Sequence, residues 1–449
     1  MTTYVAASGD VVRIGLPSLV PSWVSSVSSR TFTSLATFGA PTWNTGASSV
    51  IPSRAYRGTN PIGAMIDAFG DPVFDPNTNK FYIFNGGHGD GSCNAVVSFD
   101  LATLTYSLEC DASPTSEYPP NYIDGLGNYT LPSGLFMGNF FRPLDQLPNP
   151  VDQPYAAAVS KPVVDHRYGS QDVRSKVGVN RQIDYFFAVS KTYDLFTHSW
   201  VFEPSFTEDR LQVVREMGAR ANIQSAGLGT NIGFTDQANH QLKEGTMSLY
   251  DSVTDRHLVT LVGGGYRYGF FIWEPSTKTC SRVVDNPGPG FQILESMPLV
   301  QVGRWAYLFT SSVALNPTRT IDRGVRYNFD TGVIEYFDIT GVVPTYVVSS
   351  GTTQEGAPAW YSSATNKIAI WNHNATDRQS IYELDVSAIT AGGGAGTYES
   401  RYSWTMTKST MSGTAPSSVS YRYKIYQVPD YGLAVFFPHS TLAPFALKI

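Results

Sequence analysis

The chain has 449 residues, of which 15% are charged and 13% aromatic, with 26 Tyr, 40 Gly and a formal net charge of −6. That balance argues against nucleic acid or an anionic membrane as the main partner, because both select a basic patch and no basic run is present. Low charge with many Tyr and Gly suits an all-β protein rich in turns.

The opening residues, Met1 to Asp10, show neither a basic n-region nor a long apolar stretch, and no segment reaches membrane-spanning length. The expectation is that no secretory signal is present, so export would need another route, such as assembly into a virion or release by lysis. Residues 1–60 are rich in Ser, Thr, Pro and Gly. Residues 1–30 read as an N-terminal arm and Thr31 to Phe38 as a strand.

From Phe81 to Leu101 the chain reads as a buried strand, a glycine-rich turn and a second strand, since β-branched and aromatic runs flanking glycines signal a hairpin. Similar units recur. Leu258 to Cys280 repeats the double-glycine hairpin, and Tyr185–Trp200, Ala306–Tyr336 and Lys367–Val386 repeat the strand, loop and strand closing on an Asp turn before an aromatic residue. A period of about 40 to 50 residues marks propellers and arrays. The final unit has room for only three strands, Tyr421–Val428, Leu433–Phe437 and Ala443–Ile449, so an N-terminal strand supplying the fourth would close a ring and remove its exposed edge. Six units then begin near Met65, Tyr168, Glu244, Glu295, Glu355 and Tyr421, and seven stays open.

Gly86-Gly87 after the second strand of its unit, the glycines at 263–265, and Tyr193-Asp-Leu-Phe-Thr-His-Ser-Trp200 together resemble the kelch type of β-propeller blade. The resemblance implies a kelch-like, all-β propeller over residues 31–449 as one domain. Two long loops interrupt it, 109–164 and 206–243, and loops of that length in a compact domain are usually functional. The second contains a helical pattern at Glu208–Met217. Gly392–Gly396 reads as a loop tip.

In an up-and-down blade the turns from second to third strand emerge on the same face as the connections between blades. His88, Tyr266, His373 and His439 end second strands there, with Asp90 and Asn94 in the turn of His88 and Arg267 and Tyr268 beside Tyr266. Asp67, His166, Glu244, Glu295 and Glu355 begin inner strands on that face, with Arg167 and Tyr168 beside His166. Each has a plain structural alternative: the glycines serve a turn needing positive φ, His88 bonds the turn's backbone, and the acids accept backbone N–H bonds between blades. His198 and His257 fall in turns of the opposite face.

Glycan binding needs aromatic platforms and hydrogen-bonding acids, which Tyr118, Tyr122, Tyr168, Tyr266, Tyr268 and Trp360 with the carboxylates would supply. Eliminative cleavage of an acidic polysaccharide needs a base, an acid and a cation, and His88 or His166, Tyr266 or Tyr168, and Arg267 or Arg167 meet that inventory. The combination is similar in residue types to ulvan-lyase propellers. No cofactor is expected. A divalent metal held by His88, His373 and His439 with Gln354 or Glu355 would resemble the site of oligogalacturonate-lyase propellers, although no two of these ligands have local spacing. Cys93, Cys110 and Cys280 lack metal spacing and, being odd in number, cannot all pair within the chain. The copper centre of galactose oxidase, another kelch-like propeller, finds no support around them. The expected partner is a polysaccharide or cell-surface glycan; a purely structural or adhesin-like component, as of a phage particle, is the reading from a different class.

Overall fold

The computed structural model describes residues 20–51, 65–66, 72–84, 95–111, 171–175, 182–185, 191–194, 199–202, 247–260, 270–276, 279–284, 298–312, 318–347, 358–372, 376–417 and 425–449, with two short strands between the first two blades. Antiparallel four-stranded sheets follow one another along the chain. The first is β2 (Val73–Asp75), β3 (Lys80–Phe84), β4 (Val96–Asp100) and β5 (Thr105–Cys110). After the hairpin of β6 (Tyr129–Thr130) and β7 (Phe136–Met137), the second is β8 (Gln171–Arg174), β9 (Gln182–Tyr185), β10 (Lys191–Asp194) and β11 (Ser199–Phe202). The third is β12 (Ser248–Asp251), β13 (Arg256–Thr260), β14 (Phe270–Glu274) and β15 (Thr279–Val284).

The fourth contains β16 (Leu299–Val302), β17 (Trp305–Thr310), β19 (Arg323–Asn328) and β20 (Ile334–Gly341), with β18 (Thr318–Thr320) paired aside to β21 (Thr345–Val347). The fifth is β22 (Ala359–Ser362), β23 (Lys367–Trp371), β24 (Ser380–Asp385) and β25 (Tyr402–Thr410). After β26 (Ser412–Gly413), the last three strands are β27 (Ile425–Val428), β28 (Leu433–Phe436) and β29 (Phe445–Leu447). Strand β1 (Thr31–Ser34) pairs antiparallel with β29 and completes the sixth blade. The inner strands β2, β8, β12, β16, β22 and β27 lie side by side in that order. Between the sixth blade and the first, Phe437 and Tyr426 pack on Phe81 at ring distances of 5.2 and 5.6 Å. The fold is an all-β, six-bladed propeller whose ring is closed by an N-terminal strand.

A short local rule builds many of the turns. In Asp75-Pro-Asn-Thr-Asn79 the carboxylate accepts Asn77 N–H (3.0 Å) and Thr78 Oγ1–H (2.6 Å), while Asn79 N–H returns to Asp75 O (3.0 Å). Asp251-Ser-Val-Thr-Asp255 repeats it, with Thr254 N and Oγ1 both donating to Asp251 Oδ2. Asp100 caps Ala102 and Thr103, and Asn328 caps Asp330 and Thr331. The fifth residue of each is left-handed: φ is 54° at Asn79, 58° at Asp255, 56° at Leu104 and 69° at Gly332. Asn and Asp tolerate that conformation, whereas a Leu pays roughly 1 kcal/mol.

The same turns stitch neighbouring blades. Asn79 Nδ2 donates to Asp430 of the sixth blade (3.3 Å) and Asn77 Nδ2 to Ser175 O of the second (3.2 Å). Arg174 grips Asp255 through Nε and Nη2, at 3.0 and 2.7 Å. Asp251, fully buried, receives Gln301 and both Nη atoms of Arg304 from the fourth blade. Burial pushes the Asp251 carboxyl up, but the bonds from Arg304, Thr254 and Gln301 outweigh it and hold the group at about 2.

Helices α1 (Ser22–Ser25) and α2 (Trp43–Val50) precede the first blade. Trp23 is buried and its Nε1 donates to Leu101 O at 2.9 Å. Trp43, also buried, meets Tyr106 edge-on at 5.3 Å.

Four sequence expectations are corrected. The strand expected from Thr31 to Phe38 stops at Ser34, whose Oγ accepts Ala36 N–H and starts a 3₁₀ turn ended by left-handed Gly39. Met65 and Ile66 are buried in a helical turn and the first inner strand begins only at Val73, so Asp67 does not open that strand. His257 lies not in a turn but inside β13, fully buried with its ring 4.8 Å from that of Tyr250. Trp360 is not an exposed shelf; it is 2% exposed and packs with Phe32, Trp371 and Phe436 in the core between the fifth and sixth blades.

Two predictions follow from these interactions. The Tyr106 hydroxyl is buried with no hydrogen-bond partner among the described residues, and burial drives the phenol far above its ordinary range. Tyr106→Phe should therefore keep or raise stability in urea unfolding, by up to ~1 kcal/mol; a loss of that size would mean a hidden partner. Asp251 has a folded-state value below the unfolded one near 3.8. Its contribution, about 2 kcal/mol, is complete above about pH 5 and lost as the pH falls towards 2. Asp251→Asn should be less stable than the parent at pH 7, with the gap closing in thermal melts taken down to pH 2.5; a gap that holds constant would refute the assignment.

Candidate functional site

The antiparallel order of each blade puts the turns between second and third strands at one end of the ring, opposite the Asp–Thr turns. Of the residues assigned to that end, His439 is described. It sits between β28 and β29, half-buried, with Nδ1 2.8 Å from Thr441 Oγ1 and accepting Thr441 N–H at 3.2 Å. Its carbonyl accepts Leu442 N–H at 3.0 Å. An Nδ1 that accepts an N–H carries no proton, so the neutral ring holds its proton on Nε2. His439 thus caps its own turn, and the next carbonyl, Ser440 O, receives Asn44 N–H of α2 at 2.9 Å.

The other candidates lie outside the described residues. His88, Asp90 and Asn94 fall in 85–94 between β3 and β4, Tyr266, Arg267 and Tyr268 in 261–269 between β13 and β14, and His373 in 373–375 between β23 and β24. Asp67, His166, Arg167, Tyr168, Glu244, Glu295 and Glu355 fall in segments leading to inner strands, and Tyr118, Tyr122 and Glu208–Met217 in the two long loops. Among the described residues no three His, Cys, Asp or Glu side chains are grouped to hold a metal ion. No described helix is long and apolar enough to cross a membrane. Cys110, half-buried, directs its Sγ to Asp111 O at 3.6 Å.

The same face carries a polar cluster on the fifth blade that the sequence did not single out. Asp377 accepts Lys408 Nζ at 2.5 Å on Oδ1 and Tyr382 Oη at 2.9 Å on Oδ2. Asn372, buried at the end of β23, reaches Asp377 at 3.4 Å and Thr345 O at 3.0 Å. Burial acts to raise the Asp377 carboxyl, but the bonds from Lys408 and Tyr382 prevail and lower it. The hydrogen bond to Asp377 raises the Lys408 ammonium, and burial first, then Asp377, raises the Tyr382 phenol. The result at neutral pH is a charged Lys–Asp pair braced by a neutral phenol. Tyr382 and Lys408 are opposed across β24 and β25, 26 positions apart, a register no local motif announces. On the fourth blade Asp322 accepts both N–H (2.7 Å) and Oγ–H of Ser312, and Thr320 and Thr345 hydroxyls meet at 3.2 Å between β18 and β21.

No known protein family matches the chain, and no curated protein matches it in sequence. Among solved structures, a chain from the crystal structure of a mitotic checkpoint complex aligns over 100% of this chain and 99% of its own, at 8% identity and a TM-score of 0.37. The Pan2 WD40 domain of Neurospora crassa aligns over 88% of this chain and 96% of its own, at 10% identity and a TM-score of 0.35. At those scores the propeller assignment rests on the strand pairing of the chain itself.

Proposed function

We propose that this kelch-like propeller recognises a glycan on the face that carries His439 and receives the segments of His88, His166 and Tyr266. One observation carries the reading: the described part of this face groups a Lys408–Asp377 pair with the Tyr382 phenol, and Lys408 keeps 32% of its side chain exposed. On the Asp–Thr turn end, Asp75, Asp100, Asp251 and Asn328 are consumed by their own turns and by ties between blades. The described part of the other end carries Lys408, Asp377 and Tyr382 with the Thr320 and Thr345 hydroxyls, and the imidazoles, phenols and carboxylates named from the sequence are proposed to join them there. Sugars are bound by such mixtures, with aromatic rings under apolar sugar faces and acids or amides on the hydroxyls. A polysaccharide or cell-surface glycan is the partner proposed, with neither nucleic acid nor membrane.

Lyase action on an acidic polysaccharide uses the same face, with His88 or His166 as base, Tyr266 as acid and Arg267 on the uronate. If a divalent metal takes part through His88, His373 and His439, His439 would have to offer Nε2, since Nδ1 bonds Thr441. A non-catalytic structural or adhesin role, as in a phage particle, is the third reading.

Incubating the protein with a panel of acidic and neutral polysaccharides, while following the ultraviolet absorbance of unsaturated uronate, separates these readings. Retention on an immobilised polysaccharide without absorbance growth, weakened at least about tenfold in His88→Ala, is the expected result. Absorbance growth that disappears in His88→Ala makes the protein a lyase, and loss with a chelator adds the metal. The absence of both retention and absorbance growth on every polymer overturns glycan recognition.

A further inference from the structure

Three of the six blades are joined at the outer rim, where neighbouring propeller sheets ordinarily end in separate edges. Strand β20 of the fourth blade pairs parallel with β25 of the fifth, Phe337 to Gly341 against Tyr402 to Met406, making one eight-stranded sheet. Just beyond β25, β26 pairs parallel with β1 of the sixth blade, Thr31 with Ser412 and Phe32 with Gly413. Each junction ends at a glycine with positive φ, 83° at Gly341 and 71° at Gly413.

In both places the missing Cβ is what admits the neighbouring backbone. A methyl on Gly341 would stand 2.5 Å from Met406 O, and one on Gly413 would overlap Phe32 O. Met406 O also accepts Val342 N–H at 3.1 Å, and Ser412 N–H reaches Arg30 O at 2.8 Å, so the close approach is hydrogen-bonded on each side. Side chains reinforce the belt: Arg401 Nε lies 2.8 Å from Asp338 Oδ2, and Arg30 bonds the buried Glu383 through both Nη atoms at 3.2 and 2.8 Å. The loop glycines Gly392 and Gly394 are also tight, against Ser403 O and Arg401 O, whereas others are open. Gly393 and Gly332, with φ of 88° and 69°, have nothing within 4 Å of a built Cβ.

We infer that Gly341 and Gly413 are a pair of rim clasps that bind the fourth, fifth and sixth blades into one body, so that the ring deforms elsewhere than between these three blades. Two strands hydrogen-bonded edge to edge must open together, which makes a laced set of blades a single cooperative unit.

Native-state hydrogen exchange on the full chain, read by fragment mass spectrometry, tests this with matched controls. Without substitution, amides of β20, β25 and β1 should share one slow rate; independent rates for β20 and β1 would overturn the single body. Gly341→Ala should accelerate exchange at 340–342 and 404–407 by about tenfold or more, with Gly413→Ala acting likewise at 30–32 and 411–413. Gly393→Ala and Gly332→Ala carry a comparable backbone penalty without the steric one, and should leave both sets unchanged. Clasp variants indistinguishable from these controls would refute the inference. If a clasp variant fails to fold, the exchange pattern of the parent protein still decides.

Discussion

The structure depends on joining the two ends of a ring. A chain that lays down sheets one after another leaves an unpaired edge at its start and another at its finish, and here β1 on β29 removes both at once. Bringing residues 34 and 445 together costs about 5 kcal/mol in loop entropy alone. The ladder between β1 and β29 spans only Phe32 to Ser34, and backbone bonds contribute about 1 kcal/mol net each. Burial of Trp23 and Trp43, at roughly 2 to 3 kcal/mol apiece, adds enough to tip the balance. The N-terminal segment is therefore held less by its strand than by two aromatic anchors on the first blade, while Arg30 ties it to Glu383 on the fifth.

Closure also sorts the two ends of the disc. On the Asp–Thr turn end, short turns leave little chain to spare, and the polar atoms of Asp251, Asp255 and Asn77 serve neighbouring blades. The opposite end carries Lys408 and Asp377, of which Lys408 keeps 32% of its side chain exposed. The asymmetry comes from topology: an antiparallel four-stranded blade must place its long crossings on the side where the outer strand ends.

Much of this architecture is legible in the sequence. The last blade was expected as Tyr421–Val428, Leu433–Phe437 and Ala443–Ile449, and its strands are Ile425–Val428, Leu433–Phe436 and Phe445–Leu447. Glycine and Asp punctuation bounds such short apolar runs well. Trp360 stands on the buried side of β22, which alternates half-buried Ala359 and Tyr361 with buried Trp360 and Ser362, and that side packs against the sixth blade. His257 stands two residues beyond left-handed Asp255, where the five-residue turn ends, and so falls inside β13 with its imidazole in the core. The Asp377–Lys408 pair escaped notice because it exists only through the β24–β25 register. Of the site residues named from sequence, His439 is placed, and its Nδ1 proves to hold its own turn.

The rim and the face of the Asp377–Lys408 pair meet on one strand. β25 offers Met406 O to Val342 N–H beside Gly341 and, two residues on, presents Lys408 to Asp377. Residues two apart in a strand share a face, so Met406 and Lys408 lie on the same side of the sheet. Tyr382 connects them: it packs in the core cluster of Met406 and Trp404 while its hydroxyl donates to Asp377 and its ring lies 5.4 Å from Lys408 Nζ. A displacement of β25 at the rim would therefore be felt through a single buried side chain by the charged pair on the face. Lacing the rim holds that pair in position, because close-packed cores transmit strain and do not absorb it.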